Sequence, residues 1–152
     1  MTKITFPDGN IKEFDNGVSG FDIANSISPS LAKSALFIKL NDEYYDLHRA
    51  IEKDGIIKIL TIKDDEVLPP LRHTCAHIMA QAVKRLFPDV KLAIGPAIDS
   101  GFYYDFDTEH SFTADDLEAI EKEMKKIVKE NLKIERFELP KDEALELMKD
   151  EP

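Results

Sequence analysis

His73 and His77 stand four residues apart in the segment Leu71-Arg-His-Thr-Cys-Ala-His77. On a helix, positions i and i+4 lie one above the other, so two imidazoles at this spacing can converge on one point. Such a pair can offer two ligands to a metal, act as a neutral base near physiological pH, or hold a water. A zinc site needs at least three protein ligands. His48 and His110 lie elsewhere and neither is paired with a cysteine. No glutamate stands between the two helical histidines, so the zinc-protease pattern His-Glu-x-x-His is not met. A plain polar helix face is the other reading of the pair. Counting 3.6 residues per turn puts Leu71, Cys75, Ile78, Met79, Ala82 and Leu86 on one apolar stripe. It places His73, His77 and Lys84 on the opposite side, towards solvent or a cleft.

A second segment, Ile94-Gly-Pro-Ala-Ile-Asp-Ser-Gly-Phe-Tyr-Tyr-Asp105, follows closely. Gly95-Pro96 and Gly101 read as turn residues or, alternatively, as places where a ligand approaches the backbone. In a strand, Tyr103 and Tyr104 point to opposite faces, one into the core and the other towards the histidines. Lys122, Lys125, Lys126 and Lys129 read as a solvated helix face supported by Glu118–Lys122 and Glu121–Lys125 pairs. RNA contact is the alternative for that cluster.

The elements that must position these residues fall into two groups. Over residues 1–63, Ile4 and Phe6 alternate with polar residues, Pro7-Asp-Gly-Asn10 makes a turn, and Ile11 to Phe14 completes a hairpin. Ser19 is the N-cap of a short helix carrying Phe21, Ile23, Ala24 and Ile27, which Pro29 ends or resets. Ala35 to Leu40, a turn at Asn41-Asp42 and Glu43 to Leu47 form a second hairpin, and Ile56 to Ile62 a last strand. This order of two strands, helix and three strands fits a β-grasp arrangement, a sheet wrapped round a helix. Residues 64–70 read as a charged linker ending in Pro69-Pro70, well placed for the first turn of the His-bearing helix. That helix stops near Phe87-Pro88. Residues 90–107 read as short strands. Thr113 to Asp116 resembles a capping box that opens a helix with the inner face Leu117, Ile120, Met124, Ile127 and Val128. Leu132 to Leu139 is expected as a strand, and Pro140 to Met148 as a last helix.

An apolar content of 43% is too high for a disordered chain, and 152 residues suffice for one ordinary domain or two small ones. The net charge of −10 falls mostly after residue 63 and argues against unspecific nucleic-acid binding driven by phosphate contacts. The single cysteine, Cys75, cannot form an internal disulfide. With neither a signal peptide nor a long apolar run in view, the expectation is a soluble cytoplasmic protein.

Arg72-His-Thr-Cys-Ala-His77, taken with Ala93-Ile-Gly-Pro-Ala-Ile-Asp-Ser-Gly-Phe-Tyr-Tyr-Asp105, closely resembles the start of the editing domain of bacterial-type threonyl-tRNA synthetases. Ile4-Thr-Phe-Pro-Asp-Gly9 and the β-grasp order resemble the TGS domain that leads those enzymes. Related His-x-x-x-His domains occur in alanyl-tRNA synthetases and free-standing alanyl-tRNA editing proteins, but the TGS-like leader points to the threonyl family. The resemblance implies an α+β chain. A β-grasp (ubiquitin-like) TGS domain covers 1–63, a linker 64–70, and 71–152 are the N-terminal part of an editing domain. That second part is incomplete, with a small antiparallel sheet and helices.

The resemblance also implies the chemistry. Serine lacks one methyl of threonine, and a pocket discriminates against such a loss by only about 10–200-fold, so a separate site hydrolyses mischarged seryl-tRNA(Thr). His73 and His77 would position or activate water against the ester carbonyl, with Tyr104 and the backbone near Gly95 as walls. In the family a later Cys-x-x-x-His completes this site. ATP, magnesium and a zinc ion belong to a separate aminoacylation core. Neither that motif nor a glycine-rich phosphate loop occurs in these 152 residues. The expectations are therefore a chain that binds no cofactor itself, does not aminoacylate alone and is impaired in editing. It would meet tRNA(Thr) through its parent enzyme, itself a homodimer, while the fragment is a monomer and no membrane is involved. Two readings stay open beside this one. One is a noncatalytic RNA- or partner-binding module with surface histidines. The other is a fragment of a free-standing aminoacyl-tRNA editing hydrolase.

Overall fold

The structure, a computed structural model, describes residues 1–151. The chain divides into two compact units, Met1–Leu68 and the part from Pro69 onward.

The first unit is built on a five-stranded sheet in the order β2-β1-β7-β4-β5. β1 (Thr2–Thr5) and β2 (Ile11–Phe14) form the leading hairpin, with Thr2 opposite Phe14. β7 (Gly55–Thr61) lies parallel to β1 at the centre and antiparallel to β4 (Ala35–Leu40). β4 and β5 (Glu43–Asp46) are joined by Asn41 and Asp42, both in the left-handed region at φ 51° and 66°. Two such residues in succession match the right-handed twist of the flanking strands, which explains why Asn-Asp serves here. A small pair, β3 (Val18–Ser19) with β6 (Ala50–Ile51), closes one side.

The helices follow their caps. Ser19 caps α1 (Gly20–Ile27) reciprocally: its hydroxyl accepts from the Asp22 amide, and the Asp22 carboxylate accepts from the Ser19 amide at 3.1 Å. Pro29 does reset the chain, as N1 of a second helix, α2 (Pro29–Ser34), capped by Ser28. Ile4, Ile23, Ile38, Leu40, Ile51 and Ile57 pack between sheet and helix, each at 1% exposure or less. Full burial of such a side chain contributes about 1.5–3 kcal/mol. Strand pairing and helix together make the β-grasp arrangement that the order of elements predicts.

Residues 64–67, expected as a charged linker, pack on the first unit. Val67, in a 3-10 turn over Asp65–Val67, is fully buried. The Glu66 carboxylate pairs with Lys39 at 2.6 Å and with Lys58, and the Glu66 carbonyl accepts from the Tyr44 hydroxyl at 2.8 Å. The hydrogen bonds from those two ammonium groups hold the Glu66 carboxyl at about 2.

In the second unit, α3 (Leu68–Leu86) and α4 (Ala114–Glu130) pack round Ala82, Val83, Val90, Ile120 and Ile127. Arg85 ties the two helices. Its guanidinium is bidentate on Glu130 at 2.6 and 2.9 Å and reaches Glu123 at 3.3 Å. Thr113 and Asp116 form the expected capping box, and α4 ends on Asn131 in the left-handed conformation at φ 48°. Between the helices runs a ribbon of two short antiparallel pairs. β8 (Lys91–Leu92) with β11 (Phe106–Asp107) forms its base, and β9 (Ala97–Ile98) with β10 (Gly101–Phe102) its tip. α5 (Lys141–Leu147) is the expected last helix. The Glu118–Lys122 and Glu121–Lys125 pairs form at 2.6 and 2.5 Å on a solvated face of α4.

Three sequence expectations are corrected. First, the apolar stripe of α3 holds only in part: Ala82 is buried and Ile78 and Met79 pack on the core, but Ala76, Ala80 and Val83 are buried as well. Leu71 and Cys75 are half-buried and Leu86 is 37% exposed. Three of the four buried residues are small alanines, which a search for large apolar residues overlooks. The histidines therefore flank the buried face instead of opposing it: His77 follows Ala76 by one residue, about 100° round the helix. Second, Leu117 and Val128 are each 62% exposed, and the inner line of α4 is Ile120, Met124 and Ile127. Third, Leu132 to Leu139 forms no strand. Alternation makes a strand only where a partner accepts its backbone bonds. Here Ile134 is 80% and Phe137 66% exposed.

Candidate functional site

α3 presents His73 and His77 on one face, both exposed, with Nε2 atoms 3.0 Å apart and rings edge-to-face at 84°. One nitrogen must donate and the other accept at that distance, so the pair holds one proton between the two Nε2 atoms. Thr74 sits in the same turn and donates its hydroxyl to the Pro70 carbonyl at 3.0 Å. Desolvation, with the neighbouring His73 as the smaller cause, pushes the His77 imidazole below the ordinary histidine value of 6.5. A neutral, proton-accepting imidazole is thereby favoured at neutral pH.

The opposite wall comes from the ribbon. An open cleft of about 410 Å³ is lined by His73, His77, residues 93–97 and Tyr104. The ribbon keeps its two arms together through the Ala93 amide on the Asp105 carbonyl at 3.1 Å and the Asp105 amide on the Ile94 carbonyl at 2.7 Å. Tyr104 is half-buried and stacks on Phe106, centroids 4.9 Å apart, which in turn packs on the core of the unit. Its ring lies directly over Gly95. A Cβ at position 95 would come within 2.8 Å of the Tyr104 Cγ and closer still to Cδ2 and Cε2. The glycine is thus required by close approach of the Tyr104 ring; it lies in no turn, and what approaches its backbone here is a side chain of the same unit. Tyr103, 47% exposed, enters neither core nor cleft.

All four sequence candidates, His73, His77, Gly95 and Tyr104, meet in this one cleft. His48 does not; it lies against Phe21 in the first unit at 5.2 Å between ring centroids. His110 also lies elsewhere, stacked on Phe87 with its Nε2 3.0 Å from Asp116 at the start of α4. Sequence reasoning assigned no role to Arg72. Its Nη1 donates to the carbonyls of Ile98 and Asp99 at 3.1 and 2.7 Å, at the tip of the ribbon. Nothing in residue spacing signals that contact, which depends on how the ribbon folds back on α3.

Two imidazoles fall short of a metal centre. Among the described residues no group of three or more His, Cys, Asp or Glu side chains is arranged to hold a metal ion. What the cleft does offer is a pair of proton-exchanging nitrogens facing backbone and an aromatic wall, with room for a small polar group. Among the described residues no helix is long and apolar enough to cross a membrane.

Residues 2–61 match the family model of the TGS domain. The threonine–tRNA ligase of Clostridium botulinum (strain Loch Maree / Type A3) is 57% identical over 150 residues, 99% of this chain. That of Clostridium perfringens (strain SM101 / Type A) is 57% identical over 152 residues, the whole chain. A further ligase, from C. botulinum strain Hall, is 55% identical over 150 residues. In each case the chain spans 24% of the length of the relative it matches. The first unit is thus matched by the TGS domain model, and the chain as a whole is similar to the N-terminal region of bacterial threonine–tRNA ligases.

Proposed function

We propose that this chain is the N-terminal part of a threonine–tRNA ligase and contributes to hydrolysis of mischarged seryl-tRNA(Thr). The observation that carries the reading is the meeting of His73, His77, Gly95 and Tyr104 in one open cleft, in a chain similar throughout to such ligases. In the reaction, water attacks the carbonyl of the seryl ester while a neutral imidazole takes its proton. The tetrahedral intermediate then collapses with cleavage of the bond to the ribose oxygen, to which the imidazolium returns the proton, releasing serine and the tRNA hydroxyl. His77, held neutral by desolvation, is suited to accept that proton. His73 holds it in place through the shared Nε2 contact.

The domain assignment follows: a TGS domain over 1–63, a junction at 64–70, and the first part of an editing domain over 71–152. Ile134, Phe137, Leu145 and Leu147 are 59–80% exposed. In the longer protein, later sequence would cover them and bring the Cys-x-x-x-His that completes the site in this family. The whole enzyme would join threonine to tRNA(Thr) with ATP and magnesium in the cytoplasm, as a homodimer with a zinc ion in its aminoacylation core. The residues present do not fit those groups: the sequence has no phosphate loop, and among the described residues no third metal ligand stands beside the histidines.

The test compares deacylation of seryl-tRNA(Thr) and threonyl-tRNA(Thr) by this chain and by a chain extended through the next Cys-x-x-x-His. Selective seryl hydrolysis by the extended chain, with little from the short one, is expected. Failure of both would leave a folding and binding module.

A further inference from the structure

The histidine wall of the cleft is carried by α3, whose Ala82 and Val83 are fixed in the core of the second unit. The other wall, residues 93–97, belongs to the ribbon. The base of that ribbon is secured, since Val90 is buried and Phe106 packs on the same core. Its tip is a two-residue turn, Asp99-Ser100, between Ile98 and Gly101, and all of Ile98, Asp99 and Ser100 are exposed. Two and three residues before the tip stand Ala97 and Pro96, which line the cleft. A ribbon pinned only at its base would leave that wall free to swing.

Arg72 meets the tip. It is half-buried on α3, immediately before His73, and one guanidinium nitrogen serves both the Ile98 carbonyl at 3.1 Å and the Asp99 carbonyl at 2.7 Å. Both are acceptors at a turn, and a charged planar donor is well matched to them. We propose that Arg72 is a positioning residue of this cleft, its guanidinium holding the β9–β10 tip against α3 and so setting the 93–97 wall opposite His73 and His77. The catalytic side of this claim rests on the editing reading above; the positioning side does not. Arg72 touches no reacting atom in this scheme. It acts through the wall, which lines one cleft with the His77 imidazole.

The experiment uses the whole 152-residue chain with Arg72→Met, which keeps the length and removes the donors, and Arg72→Lys, which keeps one charged donor group. Amide exchange is read residue by residue and the imidazoles are titrated by NMR. With Arg72→Met, exchange of the 97–102 amides rises about tenfold or more, the factor for one lost charge-assisted hydrogen bond, while α4 amides are unmoved. The His77 midpoint moves up towards its ordinary value, and Arg72→Lys restores part of both effects. In the longer ligase, seryl-tRNA hydrolysis by Arg72→Met falls about tenfold in kcat with little change in KM, the pattern of a misplaced wall. Unchanged exchange at 97–102 overturns the proposal, as does raised exchange with an unmoved His77 midpoint. A ligase that never hydrolyses seryl-tRNA defeats the editing reading, while exchange and titration still decide whether Arg72 positions the wall.

Discussion

Gly95→Ala tests the close approach that shapes the cleft. The added Cβ would lie within 2.8 Å of the Tyr104 Cγ and closer to Cδ2 and Cε2, against the face of a ring and not the end of a flexible chain. The ring cannot retreat freely, because Phe106 is stacked behind it with centroids 4.9 Å apart and packs on the core. Either the Tyr104–Phe106 stack shifts, or Tyr104 swings out of the cleft. Overpacking of this kind costs about 1–3 kcal/mol. Urea unfolding of wild type, Gly95→Ala, Tyr104→Ala and the double variant gives a double-mutant cycle. The loss from Gly95→Ala should be largely absent when Tyr104 is already alanine, with a coupling of about 1 kcal/mol or more. In the longer ligase, Gly95→Ala should also slow seryl-tRNA hydrolysis. A neutral Gly95→Ala, or a loss that persists undiminished beside Tyr104→Ala, would refute the packing argument.

Other predictions follow from the charges and the exposed surface. Glu66 is held at about 2 against an ordinary 4.5, so its pairing with Lys39 and Lys58 stabilises the fold fully above 4.5. That stabilisation is lost as pH falls from 4.5 through about 2. Glu66→Gln should lower stability at pH 6 and flatten its acid dependence over this window in urea titrations; an unchanged slope counts against the clamp. His77 should titrate below 6.5, making the fold less stable as pH drops through that value, since the unfolded chain then binds the extra proton. His73→Ala should raise the His77 midpoint only in part, because desolvation is the larger cause; a fall instead would contradict that ordering. Phe137→Asp should leave the stability of this chain within about 0.5 kcal/mol, as a surface change does, yet destabilise the longer ligase. Equal effects in both would mean that nothing covers this segment.

Much of the fold was legible because its signals are local. Ser19 and Thr113 announced their helices through side chains that bond the backbone three residues on, and Asn41-Asp42 announced a hairpin through its left-handed backbone. The His pair was legible for the same reason, being one helical turn apart. What sequence alone misjudged depends on partners far along the chain. The buried face of α3 is a line of alanines whose burial is decided by what packs on it. Leu132 to Leu139 alternates like a strand but forms none, since no strand pairs with its backbone among the described residues. Arg72 acquires a role only once the ribbon folds back to bring the Ile98 and Asp99 carbonyls to it. Tyr104 over Gly95 was foreseen as two separate candidates, while their mutual packing appeared only in three dimensions.

The central claim is that the histidine pair of this cleft hydrolyses the seryl ester. The most direct test is single-turnover deacylation of seryl-tRNA(Thr) by the complete ligase, as wild type, His73→Ala and His77→Ala, with aminoacylation measured in parallel. Loss of proton transfer and water positioning should slow hydrolysis by about 10²–10⁴-fold while threonine charging is unaffected. Seryl-tRNA hydrolysis that survives unchanged in both variants would contradict the account and leave the pair as a polar helix surface.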